Sequence, residues 1–224
     1  MLRYLVLDIE TIGTQREDVK AYIAKNIKHP ATHKKPDTIE KWYKEEAPAA
    51  AEEAISRTGL DGAFGQVCCV GFAHGFDGDP ESIYGLDEAL ILNDFNGALN
   101  LIPRNEWLST CVVGFNVLSF DLRFLMQRYM INRIQPHPII KRAAAAKAWD
   151  EDKVFDCMTQ FAGFGNRISL DKTCLAFGIK SPKGEMDGSM VGQYVKDGRI
   201  NEVSEYCKLD IVATQEVFKR LTFQ

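Results

Sequence analysis

The sequence predicts an α/β domain in which helices cover both faces of a mixed sheet. Three observations lead to this prediction. Residues 3–9 are rich in Leu, Val and Ile, as in a buried central strand. Residues 66–76 and 81–86 form two strand-like segments that are separated by the turn sequence DGDP, which indicates a hairpin. Beyond residue 93, helical and strand-like segments alternate, which is typical of α/β folds.

The segment between the first two strands differs from its surroundings. Residues 14–65 are charged, contain three prolines, and show helical patterns at about 17–27, 37–46 and 48–57. We therefore expect a helical insertion after the first strand. Because this segment leaves directly from the end of that strand, we expect it to border any site that lies there.

The rest of the chain completes a sheet of five strands. Its predicted elements are a helix at 93–102, a strand at 110–116, a helix that is capped by Ser119 and ends near Arg133, a strand at 153–158, and helices at 169–177, 189–196 and 200–221.

The composition is that of an ordinary globular domain. The chain has 224 residues, of which 46% are hydrophobic and 26% charged, so we expect residues 1–224 to form one domain with a sizeable core. The net charge is -4, so the chain as a whole does not show the excess of basic residues that is usual in nucleic-acid-binding proteins. Charged residues interrupt the N-terminal apolar run, and no run approaches the length of a membrane span. We expect a cytoplasmic protein with no membrane partner.

The cysteines lack the spacing of a metal site, and most of them lie in apolar runs. We expect buried, reduced thiols, with disulfides as the alternative. The six positions are Cys68, Cys69, Cys111, Cys157, Cys174 and Cys207.

The first chemically informative segment is LRYLVLDIETIG, residues 2–13. Residues two apart in a strand point to the same face, so Asp8 and Glu10 present two carboxylates side by side. Like charges at that distance repel, and a divalent cation removes the repulsion. The alternative is a solvated strand end.

Two further acids lie in informative places. Asp121 falls in the first turn of the helix that follows the strand at 110–116, where a carboxylate either stabilises the helix start or faces a site at the sheet edge. In the last helix, Tyr206 and Asp210 are four residues apart and share one face. This pair is either a core hydrogen bond or part of a site. Four converging acids could form a two-metal site for phosphoryl chemistry.

These segments resemble the DEDD superfamily of 3′–5′ exonucleases, which share a ribonuclease-H-like fold. LDIET matches the first motif, GFNVLSFD the second and YCKLD the third. Tyr206 lies four residues before Asp210, as in the tyrosine (DEDDy, DnaQ-like) branch, whereas Glu205 stands where the other branch has histidine. Residues 169–218 are similar to the stand-alone group related to the proofreading domain of family B DNA polymerases. In that group a K-G-x-x-D-G-S-x-V segment precedes the final helix, which Lys183 to Val191 fit.

The resemblance implies hydrolysis of single-stranded DNA to 5′-mononucleotides with two divalent cations, Mg²⁺ or Mn²⁺. Asp8, Glu10, Asp121 and Asp210 would hold the cations, and Tyr206 would orient the attacking water. Substrate contacts would come from four residues. Thr11 and Ile12 would lie against the terminal nucleotide, with Ile12 as a wedge between bases, and Asn116 and Phe120 would line the path of the strand.

Two basic segments are candidates for phosphate contacts. No acid lies between Asp121 and Asp150, and the alternatives for this segment are a solvated helix face and a phosphate-tracking surface. Residues 16–44 hold eight basic and four acidic residues. For Trp42 in this segment we favour packing over base stacking. The basic residues of the first segment are Arg123, Arg128, Arg133, Lys141, Arg142 and Lys147.

Three functions remain open at this point. The favoured one is a DNA exonuclease that proofreads or processes DNA in trans with a polymerase or replication protein. The second is an exoribonuclease with the same chemistry. The third is a non-catalytic, nucleic-acid-binding accessory module of a polymerase, which the complete acid set disfavours.

Overall fold

A five-stranded sheet forms the centre of the computed structural model, which describes residues 3–182, 184 and 186–224. The strand order is β3-β2-β1-β4-β5. β1 pairs antiparallel with β2 and parallel with β4, so the predicted mixed sheet is confirmed. The strands are β1 (Arg3–Ile12), β2 (Gln66–His74), β3 (Glu81–Tyr84), β4 (Thr110–Gly114) and β5 (Val154–Asp156).

Helices flank the sheet on both faces, as predicted. The three helices of the predicted insertion are present within two residues of the expected bounds. The helices are α1 (Glu17–Asn26), α2 (Pro36–Glu45), α3 (Ala47–Arg57), α4 (Glu88–Leu99), α5 (Asp121–Ile131), α6 (Pro138–Ala144), α7 (Cys157–Ala162), α8 (Leu170–Phe177), α9 (Val191–Lys196) and α10 (Ile200–Leu221).

The alternation of side chains along β1 divides the core. Leu5, Leu7 and Ile9 belong to an apolar cluster with α4, α5 and α6. Val6 faces the other way, into a cluster that includes Ile211 and other residues of α10. Because β1 is covered on both faces, its middle reads as a continuous apolar run. Residues 8, 10 and 12 continue the face of Val6, which places them under α10.

Several predicted element bounds are wrong for local reasons. α4 begins at Glu88, not at residue 93, because the carboxylate of Asp87 caps it by accepting from the backbone N–H of Leu90. Ser119 does not cap α5, whose N-cap is Phe120 without a side-chain hydrogen bond. β5 ends at residue 156 because Asp156 caps α7.

The sequence analysis missed α7, whose first two residues fall in the predicted strand at 153–158, and it also missed α6. This helix has only seven residues, with a proline at its first position and a preceding histidine, His137, that caps it. Its signal was the proline followed by IIKRAA, since proline favours the first helical position. Within the part of the chain that the structure describes, no helix is long and apolar enough to cross a membrane.

Candidate active site

Asp8 and Glu10 lie on the α10 face of β1, near its carboxyl end. Asp8 is paired across the sheet with Gly71 and Glu10 with Cys69, before the register shifts between Glu10 and Thr11. The Cys207 thiol of α10 donates to Asp8 Oδ2 at 3.4 Å. One ligand atom each from Asp8, Glu10 and Cys207 lie within 4.8 Å of one another. The central strand therefore holds both acids side by side, as predicted.

Asp121 approaches Asp8 and Glu10 from the start of α5. It is the first residue of α5 and is 3% exposed. Its Oδ1 accepts the backbone N–H of Ile9 at 3.0 Å. The carboxylate is therefore turned toward β1, between the positions of Asp8 and Glu10, although the residue also begins a helix.

The loop that carries the second motif is held by Asp156, a residue that the sequence analysis missed. The Asp156 carboxylate accepts the backbone N–H groups of Asn116 and Leu118, both at 3.1 Å, and also caps α7. Asn116 has φ 63°, in the left-handed region. The available signal was an acid at the end of an apolar strand, which is the same signal that identified Asp8.

Tyr206 and Asp210 share one face of α10, as predicted, and the tyrosine hydroxyl is hydrogen-bonded to Asp210. Burial raises the pKa of Tyr206, and the negative charges of Asp210, Glu10 and Asp8 raise it further. The hydroxyl therefore stays protonated at neutral pH and can donate. Both alternatives for this pair therefore apply: Tyr206 and Asp210 are hydrogen-bonded to each other, and the pair lies beside the other acids of the site.

The electrostatics of this acid cluster favour bound positive charge. Burial, and then the charges of neighbouring carboxylates, raise the pKa of Asp8 and of Glu10 well above the ordinary values. For Asp121, burial raises the pKa to about 8, although backbone N–H groups bonded to its carboxylate lower it. None of the ion pairs among the described residues involves these three acids. Carboxylate oxygens are the donors that hard divalent cations prefer, so the residues fit such an ion.

The predicted substrate residues have unequal surroundings. Thr11 Oγ1 donates to the carbonyl of Gly59 at 2.5 Å. Ile12 is 3% exposed and belongs to an apolar cluster with Met186 and Val191. Its expected role as a wedge between bases does not agree with this burial, because its side chain is covered. Phe120 is partly buried and its ring lies 5.6 Å from that of Phe124.

The segment before the last helix covers one side of the site. Lys183, at the start of the K-G-x-x-D-G-S-x-V match, lies outside the described residues. Asp187 caps the turn at Gly188–Met190 by accepting from the N–H of Ser189 at 2.9 Å. The following residue, Val191, packs in the cluster of Ile12, so this segment shields the end of β1.

Two of the six basic residues between Asp121 and Asp150 are not available for the alternative of a phosphate-tracking surface. Arg128 is buried, and its guanidinium makes two hydrogen bonds to Glu88, at 2.8 and 2.7 Å. Arg142 bonds the carbonyl of Thr110 and the side chain of Asp152. These two residues hold the fold together and do not form a phosphate-tracking surface. In the basic segment at residues 16–44, Trp42 is 4% exposed, which confirms packing.

Comparison with known families gives a match to one family model, described as "Predicted 3'-5' exonuclease related to the exonuclease domain of PolB", over residues 87–224. The match contains Asn116, Asp121 and the Tyr206–Asp210 pair. Asp8 and Glu10 lie before it. No curated protein matches the chain.

Among the solved structures that align with this chain, a polymerase supports the fold. The family B DNA polymerase of the hyperthermophilic archaeon Pyrobaculum calidifontis aligns with a TM-score of 0.58 and 17% identity, over 99% of this chain and 25% of the polymerase. E. coli exonuclease I in complex with a dT13 oligonucleotide aligns with a TM-score of 0.41 and 13% identity, over 99% of this chain and 41% of the other. The chain thus spans a quarter of the polymerase and less than half of exonuclease I. The predicted ribonuclease-H-like fold is confirmed.

Proposed function

This chain belongs to the family of 3′–5′ exonucleases related to the exonuclease domain of PolB, and we propose that it removes nucleotides singly from the 3′ end of single-stranded DNA. In each cycle, water attacks the phosphorus of the terminal phosphodiester, and the bond from phosphorus to the 3′ oxygen breaks. The products are a 5′-mononucleotide and a shortened strand with a new 3′ hydroxyl.

The observation that carries the proposal is the convergence of acids, two buried and two half-buried, from three distant parts of the chain. Asp8 and Glu10 come from β1, Asp121 from the start of α5, and Asp210 from α10. Buried like charges are costly unless a cation or a proton balances them. Two divalent cations, Mg²⁺ or Mn²⁺, held by these four residues would supply the charge that offsets the negative phosphodiester.

The side chains around the cluster have separate tasks. Tyr206 stays protonated and donates its hydroxyl proton to Asp210, so that its oxygen is held in place to accept a hydrogen bond from the attacking water and orient it. Its raised pKa makes it a poor base, so it is not the group that removes the proton from water. Thr11, Asn116 and Phe120 contact the terminal nucleotides. For Ile12 we propose a packing role behind Thr11 in place of the wedge.

The preference for DNA rests on the family relationship to a DNA polymerase domain. With this substrate, the chain would act in trans to a polymerase or replication protein, in proofreading or processing. A ribonuclease of the same chemistry is the second candidate, because the same acid cluster serves either sugar.

The test is a digest of oligonucleotides labelled at either end, as single-stranded DNA and as RNA, with Mg²⁺, Mn²⁺ or a chelator. We expect 3′-labelled DNA to release labelled mononucleotide at once, and 5′-labelled DNA to shorten as a ladder, with neither product in chelator. Faster release from RNA would favour the ribonuclease. Binding without release in any cation would favour a non-catalytic module and overturn the proposal.

A further inference from the structure

The loop that joins α3 to β2 lies between the two motifs to which we assign substrate contacts. This loop, Thr58–Gly65, has the sequence TGLDGAFG. It begins with a short 3-10 turn at Thr58–Leu60 and ends where β2 starts.

The first half of the Thr58–Gly65 loop is bonded to the end of β1. Gly59 accepts the hydroxyl of Thr11 at 2.5 Å, and the Thr58 hydroxyl accepts the N–H of Thr14 at 2.7 Å. A side chain at Gly59 would place its Cβ 3.2 Å from the carbonyl carbon of Ile12, so the two backbones are in direct contact. The loop is therefore attached to the end of β1, the strand that carries Asp8 and Glu10.

The second half is bonded to α5. Arg128 Nη1 donates to the carbonyl of Gly62 at 3.2 Å. A Cβ at Gly65 would lie 3.0 Å from Phe124 Cζ, and the ring of Phe124 lies against that of Phe120. The loop thus spans the gap between Thr11 on one side and Phe120 on the other.

Two apolar side chains on the Thr58–Gly65 loop face solvent. Leu60 is 75% exposed and Phe64 is 39% exposed. The backbone beneath them is fixed, because the carbonyl of Asp61 accepts the N–H groups of Phe64 and Gly65, at 3.0 and 2.7 Å. Single exposed apolar side chains are ordinary, and these two are distinguished by the bonded loop that carries them between Thr11 and Phe120.

We propose that Leu60 and Phe64 form a base-contacting edge of the substrate path, with single-stranded nucleic acid as the occupant. This inference rests on the proposed function, because the edge is continuous with the residues assigned there. The ring of Phe64 stacks on a base, and Leu60 contacts the next base through apolar surface. Stacking tolerates any base, so the edge supports sequence-independent degradation.

The test compares Leu60→Ala and Phe64→Ala with the wild type, using a 5′-fluorescein-labelled oligothymidylate. Fluorescence anisotropy in chelator gives the Kd without hydrolysis, and a digest in Mg²⁺ gives KM and kcat. We expect Kd and KM to rise about tenfold for each variant, since loss of one stacked base has this order of effect. The kcat should change by less than about twofold, because neither side chain belongs to the acid cluster.

Matched controls separate base contact from general surface effects. Leu101→Ala removes a leucine that is 82% exposed and lines a cavity with Arg3 and Thr110, at the opposite end of the sheet. Phe223→Ala removes a phenylalanine that is 97% exposed beyond the end of α10. Both should match the wild type. Phe64→Trp should restore binding and Phe64→Leu should not, with thermal melts to verify folding.

The outcomes distinguish this inference from the proposed function. If the wild type releases mononucleotides but Leu60→Ala and Phe64→Ala bind and hydrolyse as the controls do, the inference is overturned and the function stands. If the wild type binds without release and these two variants lose binding, the hydrolytic function fails while the base-contacting edge is supported. A wild type that neither binds nor hydrolyses the oligonucleotide overturns both.

Discussion

Two glutamates of this protein are equally buried and have opposite surroundings. Glu10 and Glu88 are each 7% exposed. Glu88 accepts two hydrogen bonds from Arg128, one from Asn132 at 2.7 Å and one from the N–H of Val67 at 2.8 Å. Burial raises the pKa of Glu10, and the carboxylates around it raise the pKa further. Burial alone therefore does not identify a functional acid. The informative difference is whether the fold supplies the balancing charge.

The largest effects are expected when one acid is removed from the acid cluster and, separately, from the Glu88–Arg128 ion pair. Asp8→Ala should lower the rate of nucleotide release by about a thousandfold or more, because it removes one of the carboxylates that together would hold the cations. The same change should leave the chelator-treated protein at least as stable, since it relieves repulsion. Initial rates and thermal melts of one preparation measure both. Loss of folding in place of loss of rate would contradict the assignment.

Glu88→Ala should show the reverse pattern. It leaves the Arg128 guanidinium buried without its carboxylate, which costs about 3–5 kcal/mol of unfolding free energy. Urea unfolding followed by circular dichroism measures this loss. The kcat per folded molecule should be retained, because neither residue belongs to the acid cluster. The double variant Glu88→Met, Arg128→Met should recover part of the stability, and a double variant as unstable as the single one would contradict the ion-pair account.

The cation dependence of stability sharpens the comparison further. Carboxyls with raised pKa values hold their protons more tightly in the folded state than in the unfolded state. Their contribution to the free energy of unfolding is therefore complete below about pH 4, and it is lost as the pH rises toward the folded pKa, which is about 8 for Asp121. In chelator, Tm should therefore fall between pH 6 and pH 8.5. Mn²⁺ at about a hundred times its Kd should restore about 2.7 kcal/mol.

Differential scanning fluorimetry at both pH values checks this expectation. Asp8→Asn should reduce the cation effect, and Glu88→Gln should not. An equal effect of Mn²⁺ on the wild type and on Asp8→Asn would place the binding ion elsewhere.

The smallest effect is expected at Tyr206. Tyr206→Phe removes the hydroxyl that orients water and keeps the ring in place. The rate should fall about tenfold, well below the loss in Asp8→Ala, because orientation by one hydrogen bond is worth less than the cation site. Single-turnover rates of the two variants settle the order, and equal, complete loss in both would show that Tyr206 belongs to the same unit as Asp8.

The sequence was sufficient to predict the features that depend on the geometry of a single strand or helix. Alternation along β1 brought Asp8 and Glu10 to one face, and helical spacing brought Tyr206 beside Asp210. The misses depend on contacts between distant segments. Asp156 holds the second motif loop from 40 residues away. In the same way, Arg128 could not be separated from a phosphate-binding arginine without its contact to Glu88.

The burial of Ile12 was missed for a related reason. Its position at the end of the first strand gave no sign of the segment around Met186 that covers it. Short elements such as α6 were missed because seven residues hold too few repeats of a helical pattern to be read.

The contact between the last helix and the first strand has a consequence for biosynthesis. The hydrogen bond from Cys207 to Asp8 joins residues 199 positions apart. A ribosome therefore adds the last acid, Asp210, about 200 residues after the first, and a growing chain carries only part of the acid cluster. Under the proposed function, a nascent polypeptide cannot cleave nucleic acid until α10 has docked on β1. Completion of the fold and onset of hydrolysis then coincide, so that a partly folded chain does not degrade nucleic acid.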